Sequence, residues 1–539
     1  DSAMKGLVVC PQPRAADVGA AILSGGGNAI DAAIATAFAQ MICDPFMCGV
    51  GGMGTFQYYV AETGENGMID FHNRAGAKVT PDMWQADMKG RTEVSGYTLF
   101  DDYRSELGYT SIMTPGTVAG FAEAHRRMGS KPWGELLQPA IRMARDGFDM
   151  TSYVRDYFTR DFMPGIPDGM TRITKTDACR DIYVHPEGRL YKVGEVLRNP
   201  DYGDTLEAIS SNGPEEFYRG ALGKKIADDL SANGSYVTAE DLAGYKPNCG
   251  APVQGSYRGY RVSSNPPPGS GVTLIQMLQI LDHFDLGALD HGSAAHIDLV
   301  ARAMAAAHSD RNEYLADPSF ADVPVDMMVS QDRAAEWAEK IRKGEFLGDG
   351  KEAPPSCTTH LSVYDEAGNA VSCTHTIGTG SGVITPGLGF VYNNSMKLAD
   401  PIPGNANSMA PGKARTTGMV PTMVFRDDGR PWIIVGAPGG SVIISAVLQT
   451  ILNVIDFGMS PVEAVTVPRI HCEGGAIHAE ARLPDSEMIA LQAMGHEVKR
   501  NAISFDPVMS RGHVIVVDED GGWRGGADPR GGGGVAYAR

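Results

Sequence analysis

Thr358 stands where a loose, proline-rich stretch, Pro354-Pro355-Ser356-Cys357, runs into a strand beginning Thr358-Thr359-His360. A threonine hydroxyl is a weak nucleophile until a base sits beside it, and an N-terminal α-amine can be that base. With a pKa near about 8, such an amine is partly neutral at physiological pH. An internal threonine lacks it, and cutting the Cys357–Thr358 bond would create it. Taken alone, two threonines at a strand start are ordinary β-branched filler. Two neighbouring signals raise the chemical reading. Thr374 and Thr376 lie on the second arm of a hairpin whose first arm starts at Thr359, so cross-strand partners face each other. Val435-Gly-Ala-Pro-Gly439-Gly440-Ser441 leaves a strand and enters a helix, and amides at such a glycine-rich start can point at an oxyanion. Its plain alternative is a strand-to-helix turn. A nucleophile and an oxyanion cradle together suggest amide chemistry.

Other chemistries lack their pieces. Gly49-x-Gly51-x-x-Gly54 matches the dinucleotide fingerprint in letters, but a helix precedes it and a strand follows, the reverse of the required order. It reads as a tight turn that lets a helix pack closely on a sheet. No phosphate-binding Gly-x-x-x-x-Gly-Lys-Ser/Thr loop and no Gly-x-Ser-x-Gly elbow occurs. The eight cysteines form no Cys-x-x-Cys pair and no zinc spacing, so neither a metal nor a cofactor is expected, and the thiols read as reduced. A net charge of −19 argues against a nucleic-acid partner. No apolar run reaches the roughly 18 residues of a membrane span. The chain opens Asp1-Ser-Ala-Met-Lys5 without a leader pattern. The expected compartment is the cytoplasm, or the periplasm if a leader was removed.

Elements to position these groups are legible. Ala15–Ser24 and Ala29–Met41 have helical apolar spacing and are split by Gly25-Gly26-Gly27. A strand-like run covers Thr55–Val60. Residues from about 110 to 345 are mostly helical, clearest over Ser293–Asn312, with a short capped turn at Thr238–Ala243. From Lys343 to Ser356 the composition is that of an exposed linker. Beyond it, Thr359–Tyr364 and Ala370–Ile377 alternate around Asp365–Asn369 as a hairpin, with further strands at Thr422–Arg426 and Trp432–Val435. A helix follows over Val442–Phe457, and another opens at Ser460-Pro461-Val-Glu463, a capping box. Strands with helices on both sides form a sandwich.

The chain resembles the γ-glutamyltranspeptidase family nearly end to end. Gly25–Ala33, Gly49–Gly54, Thr114–Phe121, Pro266–Ser270 and Asp310–Asp317 match its large subunit. Thr358-Thr359-His360, Asn393-Asn394, Pro438–Ser441 and Asp528-Pro529-Arg530 match its small subunit. The resemblance implies an αββα fold of the N-terminal-nucleophile hydrolases. It also implies cleavage between Cys357 and Thr358, giving chains 1–357 and 358–539 that stay paired as a heterodimer, alone or as a dimer of heterodimers. Thr358 matches the nucleophile, Thr376 the threonine that contacts its amine, Thr359 the adjacent hydroxyl residue, and Gly439 and Gly440 the oxyanion donors.

Departures cluster in the substrate pocket. His72 stands where the family places the arginine for the glutamyl carboxylate, with Arg74 two positions on. Gly378 replaces an asparagine. After Asn394, Ser395 and Leu398 replace the glutamine and aspartate that hold the substrate ammonium. Thr416 and Thr417 replace paired serines, keeping the hydroxyls. Arg74, Arg415 and His72 remain as candidates to bind an acidic acyl group. The segment Ala399–Ala414, matching the family's lid, is short and lacks a tyrosine, which suggests an open site. The resulting expectation is a hydrolase of a small-molecule amide acting through a threonyl ester, without standard γ-glutamyl recognition. A true γ-glutamyl hydrolase or transpeptidase acting on glutathione-like substrates is the nearest rival. Cephalosporin-acylase-like and oxamate-hydrolase-like specificities share the chemistry, and an uncleaved, silent binding protein is the rival from another class.

Overall fold

The computed structural model describes residues 3–92, 97–345, 348 and 357–539. The Pro354-Pro355-Ser356 stretch, with most of the linker expected before Thr358, lies outside the described residues.

Two antiparallel sheets make the centre of the molecule. The seven-stranded sheet runs, edge to edge, Gly534–Ala538, Gly6–Cys10, Thr359–Asp365, Ala370–Thr376, Met53–Val60, Glu65–Phe71 and Asn248–Gly250. The six-stranded sheet runs Trp523–Ala527, His513–Val517, Pro431–Gly436, Thr422–Phe425, Tyr260–Ser264 and Val253–Tyr257. Helices Pro13–Ser24 and Ala29–Cys43 cover the outer face of the first sheet, and helices Gly271–Leu281, Val442–Ile455 and Pro461–Thr466 cover the second. This is the four-layer αββα arrangement, with each sheet burying one face on helices and the other on its partner sheet.

Local chemistry explains the elements that frame Thr358. Helix Ala29–Cys43 is buried along its whole length, which its many alanines permit between a sheet and other helices. Its start is set by a capping box in which the Asn28 side chain accepts from the Asp31 amide and Asp31 accepts from the Asn28 amide. The hairpin forms as expected, and its register sets Thr359 opposite His375 and Tyr364 opposite Ala370. Thr238 and Ser293 cap helices Ala239–Gly244 and Ala294–Tyr314, and the Ser460–Glu463 capping box forms. The Gly49–Gly54 segment is a tight turn between helix and strand, closed by the Gly52 amide donating to Gly49 O at 3.1 Å. A Cβ on Gly52 would sit 2.2 Å from the carbonyl oxygen of Thr376, so that glycine lets the backbone pass the end of the hairpin. No helix among the described residues is long and apolar enough to cross a membrane.

The layer between the sheets changes character along the strands. At one end it is apolar, built from Leu7, Val9, Tyr59, Tyr364, Phe425, Ile434 and Ile515. Toward Thr358 the inward rungs become polar, and several of them pair. His360 Nδ1 pairs with Thr374 Oγ1 at 2.9 Å, His360 Nε2 with Ser362 Oγ at 2.8 Å, and Ser372 Oγ donates to Val435 O at 2.9 Å. Buried polar groups persist only when paired, and these pairs keep the strand end rigid beneath Thr358.

Candidate active site

The Thr358 hydroxyl touches two groups. It donates to the carbonyl oxygen of Cys357 at 2.6 Å and lies 3.3 Å from Thr376 Oγ1. Thr376 Oγ1 itself donates to the same Cys357 oxygen at 2.7 Å and accepts from the Gly378 amide at 2.8 Å. Thr358 is 3% exposed. The short Ala399–Ala414 segment is packed at several points. Met396, Ala399 and Met409 pack with Trp84 and Phe100, and Ala414 N donates to Asp317 at 2.8 Å.

Strand alternation separates the two candidate hydroxyls. Thr358 faces the partner sheet, whereas Thr359 faces the helices, where its Oγ1 accepts from Gln12 Nε2 at 3.0 Å and from Gln40 Nε2 at 3.3 Å. Gln12 also donates to Asp44 at 2.7 Å. Thr359 therefore anchors the strand from behind rather than joining Thr358 and Thr376. No histidine or carboxylate touches the Thr358 hydroxyl among the described residues. The nearby imidazoles of His360, His375 and His513 are held neutral by burial, the last two pushed down to about 3. A Ser-His-Asp type of relay through these rings is thus absent.

The glycine turn lies at the same end of the sandwich. Strand Pro431–Gly436 ends against His360, where a Cβ on Gly436 would come within 2.2 Å of the ring. Gly439 and Gly440 then adopt φ of 129° and 72°, left-handed values that glycine takes without strain. Neither amide donates a hydrogen bond among the described residues. Gly418 presses on this turn so closely that a Cβ there would sit 2.1 Å from Gly440 O.

The expected substrate residues divide. His72 meets Thr417, with Nε2 2.9 Å from Thr417 Oγ1 while Nδ1 pairs with Asp70. Thr417 is braced in turn by Ser270, and Ser270 by Arg311 Nε at 3.0 Å. Asn394 spans the loop, accepting from Thr379 N at 3.0 Å and donating to Glu106 O at 3.0 Å and to Thr379 Oγ1 at 2.7 Å. Ser395 Oγ pairs with the Asn73 amide at 2.8 Å. Leu398 and Thr416 are partly exposed. Arg74 is drawn elsewhere. Its guanidinium donates to Lys246 O at 2.8 Å and stacks on Tyr245, so its charge is engaged beside strand Asn248–Gly250 and not with His72 and Thr417.

Sequence reasoning passed over Lys397. It is buried, its Nζ donates to Thr379 Oγ1 at 3.1 Å, and it lies 5.3 Å from the Tyr97 ring centre. Gly378, nearby, makes room for Asn394, since a Cβ there would meet Asn394 Oδ1 at 2.3 Å. Desolvation pushes the Lys397 ammonium down to about 8, opposed by Glu106 and assisted by Arg172 and Arg415. Arg415, also buried, is pushed down to about 10 by desolvation. Glu106 is already paired with buried Arg172 at 2.8 Å. The only signal in the sequence was a lysine between the two positions, Ser395 and Leu398, that had lost their polar partners.

Known proteins place this geometry in a family. The acylase ACY 1 proenzyme of Pseudomonas sp. strain V22 is 38% identical over 522 residues, spanning 93% of this chain and 90% of that protein. The glutathione hydrolase proenzyme of Escherichia coli strain K12 is 34% identical, spanning 98% and 91%. Among solved structures, the cephalosporin acylase from Bacillus halodurans superposes with a TM-score of 0.87 at 30% identity, covering 99% of this chain and 96% of that one. The sequence model of γ-glutamyltranspeptidase matches residues 15–538. Matched along almost its whole length, this αββα chain belongs to the γ-glutamyltranspeptidase family of amide-hydrolysing N-terminal-nucleophile enzymes.

Proposed function

We propose that the protein cuts itself between Cys357 and Thr358 and then hydrolyses an amide whose acyl group carries no α-ammonium. The observation that carries the first half is the shared grip of Thr358 and Thr376 on the Cys357 carbonyl oxygen. Attack of Thr358 Oγ on the Cys357 carbonyl carbon puts negative charge on that oxygen, and the Thr376 hydroxyl is already aimed at it. Collapse breaks the C–N bond, the nitrogen takes the hydroxyl proton and becomes the α-amine of Thr358, and water hydrolyses the Cys357 ester. In turnover, the α-amine accepts the Oγ proton as Thr358 attacks the substrate. The leaving amine takes that proton, and water releases the acid from the threonyl ester. The Gly439 and Gly440 amides, free of protein acceptors among the described residues, serve the substrate oxyanion.

The two chains are expected to stay together. The hairpin 359–376 is flanked in its sheet by strands Gly6–Cys10 and Met53–Val60, so segments on both sides of the cut alternate in one hydrogen-bonded sheet. None of the eight cysteines is joined in a disulfide and seven of them are buried, which fits the expected cytoplasmic compartment.

The second half rests on what surrounds the acyl position. A γ-glutamyl head needs an anion or acceptors for its ammonium, and here Ser395 and Leu398 stand at the matched positions with Lys397 between them. A buried like charge costs several kcal/mol in such a pocket. Acylase ACY 1 and the cephalosporin acylase, both named for acyl removal, support this direction. The test compares kcat/KM for γ-glutamyl-p-nitroanilide and glutaryl-p-nitroanilide, which differ only at the ammonium. The glutaryl compound is expected to be the better substrate. Preference for the glutamyl compound would make the protein a γ-glutamyl hydrolase or transpeptidase, as the glutathione hydrolase relative is named.

A further inference from the structure

A cavity of about 270 Å³ lies among the helices that cover the seven-stranded sheet. Its walls are the starts of helices Pro13–Ser24 and Ser152–Thr159, the end of helix Ala29–Cys43, and the loops that carry Arg511 and Gly532. None of the residues assigned above to the nucleophile, the oxyanion or the acyl group lines it. Pro11, Cys43, Phe148, Tyr153 and Val154 make much of its surface apolar.

Two opposite charges line this cavity without meeting. Asp44 is 6% exposed and Arg511 9%. Each feels the other's charge, yet among the described residues they form no ion pair with each other or with any third group. The Asp44 carboxylate has one partner, Gln12 Nε2 at 2.7 Å. The Arg511 guanidinium has none among the described residues, and its Nε is buried without one. Burial pushes the Asp44 carboxyl up, opposed by Gln12, Arg511 and Arg160. It pushes the Arg511 guanidinium down, a shift that Asp44 opposes and Arg160 reinforces. Buried charges are costly unless paired. One bridging water, with a share of about 30 Å³, would leave most of this space empty. The Arg14 and Ser152 amides, at the two helix starts, donate no hydrogen bond among the described residues.

We propose that this cavity binds a free α-amino acid with an apolar side chain, its carboxylate on Arg511 and its ammonium on Asp44. A zwitterion supplies both missing partners at once. A plain carboxylate would bring its charge beside Asp44, and a plain amine beside Arg511. The other charged groups at the wall, Arg14 and Asp149, also cancel, so the lining favours neither ion alone. The apolar walls take the side chain. Both ends of the ligand then lie next to the catalytic elements. Gln12 Nε2, which holds Asp44, also donates to Thr359 Oγ1 at 3.0 Å. Ser510, the neighbour of Arg511, donates through Oγ to Pro438 O in the glycine turn. Binding at this site requires no turnover, so it stands or falls apart from the hydrolase reading.

Calorimetric titration of the purified, full-length protein with L-phenylalanine tests the site. Two analogues serve as controls, 3-phenylpropionate without the ammonium and 2-phenylethylamine without the carboxylate. The wild type should bind L-phenylalanine about 30-fold or more tighter than either analogue, the scale for one desolvated charge pair. Arg511→Met should lose about 30-fold or more in affinity for L-phenylalanine and none for 2-phenylethylamine. Asp44→Asn, which keeps an acceptor for Gln12, should lose as much for L-phenylalanine while 3-phenylpropionate binds as well as before or better. Absence of L-phenylalanine binding, binding no tighter than that of the analogues, or binding that both variants keep would each overturn the proposal. All three outcomes leave the hydrolase standing. Should a variant fail to fold, the comparison of the three ligands on the wild type still decides.

Discussion

The Thr376 hydroxyl lies 2.7 Å from the carbonyl oxygen of Cys357, the bond whose cleavage would release Thr358. It is oriented by the Gly378 amide, which donates to it at 2.8 Å and so leaves its proton for the carbonyl. On the proposed route, Thr376 serves the oxyanion of the self-cleavage step rather than proton removal.

Thr376→Ala should therefore slow cleavage by about 10²–10³, the usual loss for one oxyanion donor. Thr376→Ser keeps the hydroxyl and should cleave far closer to the wild-type rate. Gel time courses of freshly made protein read both. Equal rates for the alanine variant and the wild type would remove Thr376 from the step.

Gly418 offers a test of the glycine turn from outside the site. A Cβ at that position would meet Gly440 O at 2.1 Å and Gly440 C at 2.5 Å, so Gly418→Ala must displace the Gly440–Ser441 peptide and with it the Gly440 backbone. Turnover is expected to fall by at least about tenfold, part of the 10²–10³ that one lost oxyanion donor costs, with the circular dichroism spectrum unchanged. Gly440→Val, which forces a β-branched residue to a φ of 72°, should lose most activity. Activity within about twofold of wild type in both variants, against that expected loss, would move the oxyanion site elsewhere.

Much of this was legible before any coordinates. The hairpin, the long helices and the capped starts at Thr238 and Ser460 follow from period-two and period-3.6 patterns and from capping residues, all local signals. The Gly49–Gly54 turn was readable because element order is local too. Which way a side chain points at a strand end was not. Thr358 and Thr359 differ by one position, yet one faces the partner sheet and the other Gln12 and Gln40, contacts made across more than 300 residues of chain. Arg74 shows the same limit, since Lys246, Asn248 and Tyr245 that capture it are distant in sequence. Lys397 needed three dimensions as well, because its meaning lies in the shortage of anions around it among the described residues.

That shortage has a consequence for stability. Burial holds the Lys397 ammonium at about 8, whereas an unfolded lysine titrates near about 10.4. Between those values the unfolded chain binds the proton that the folded chain has released, so stability rises with pH there. Below about 8 the buried charge is a standing cost, borne amid Arg172 and Arg415, offset in part by Glu106, and close to Cys357 and Tyr97. Lys397→Met should stabilise the protein by about 1–3 kcal/mol at pH 7, less the lost Thr379 hydrogen bond. The gain should shrink as pH rises from 8 toward 10.5. Thermal melts across that range check it, and a variant destabilised at pH 7 would contradict the unpaired charge.

The central claim is that Thr358 becomes an N-terminal nucleophile, and intact-mass analysis of the purified protein beside Thr358→Ala tests it most directly. The wild type should resolve into two chains, the smaller beginning Thr358-Thr359-His360, and brief exposure to an acyl anilide should add the acyl mass to that smaller chain. The Thr358→Ala protein should remain one chain and take up no acyl group. An unsplit wild-type chain that still hydrolyses amides, or normal splitting in the variant, would contradict the account.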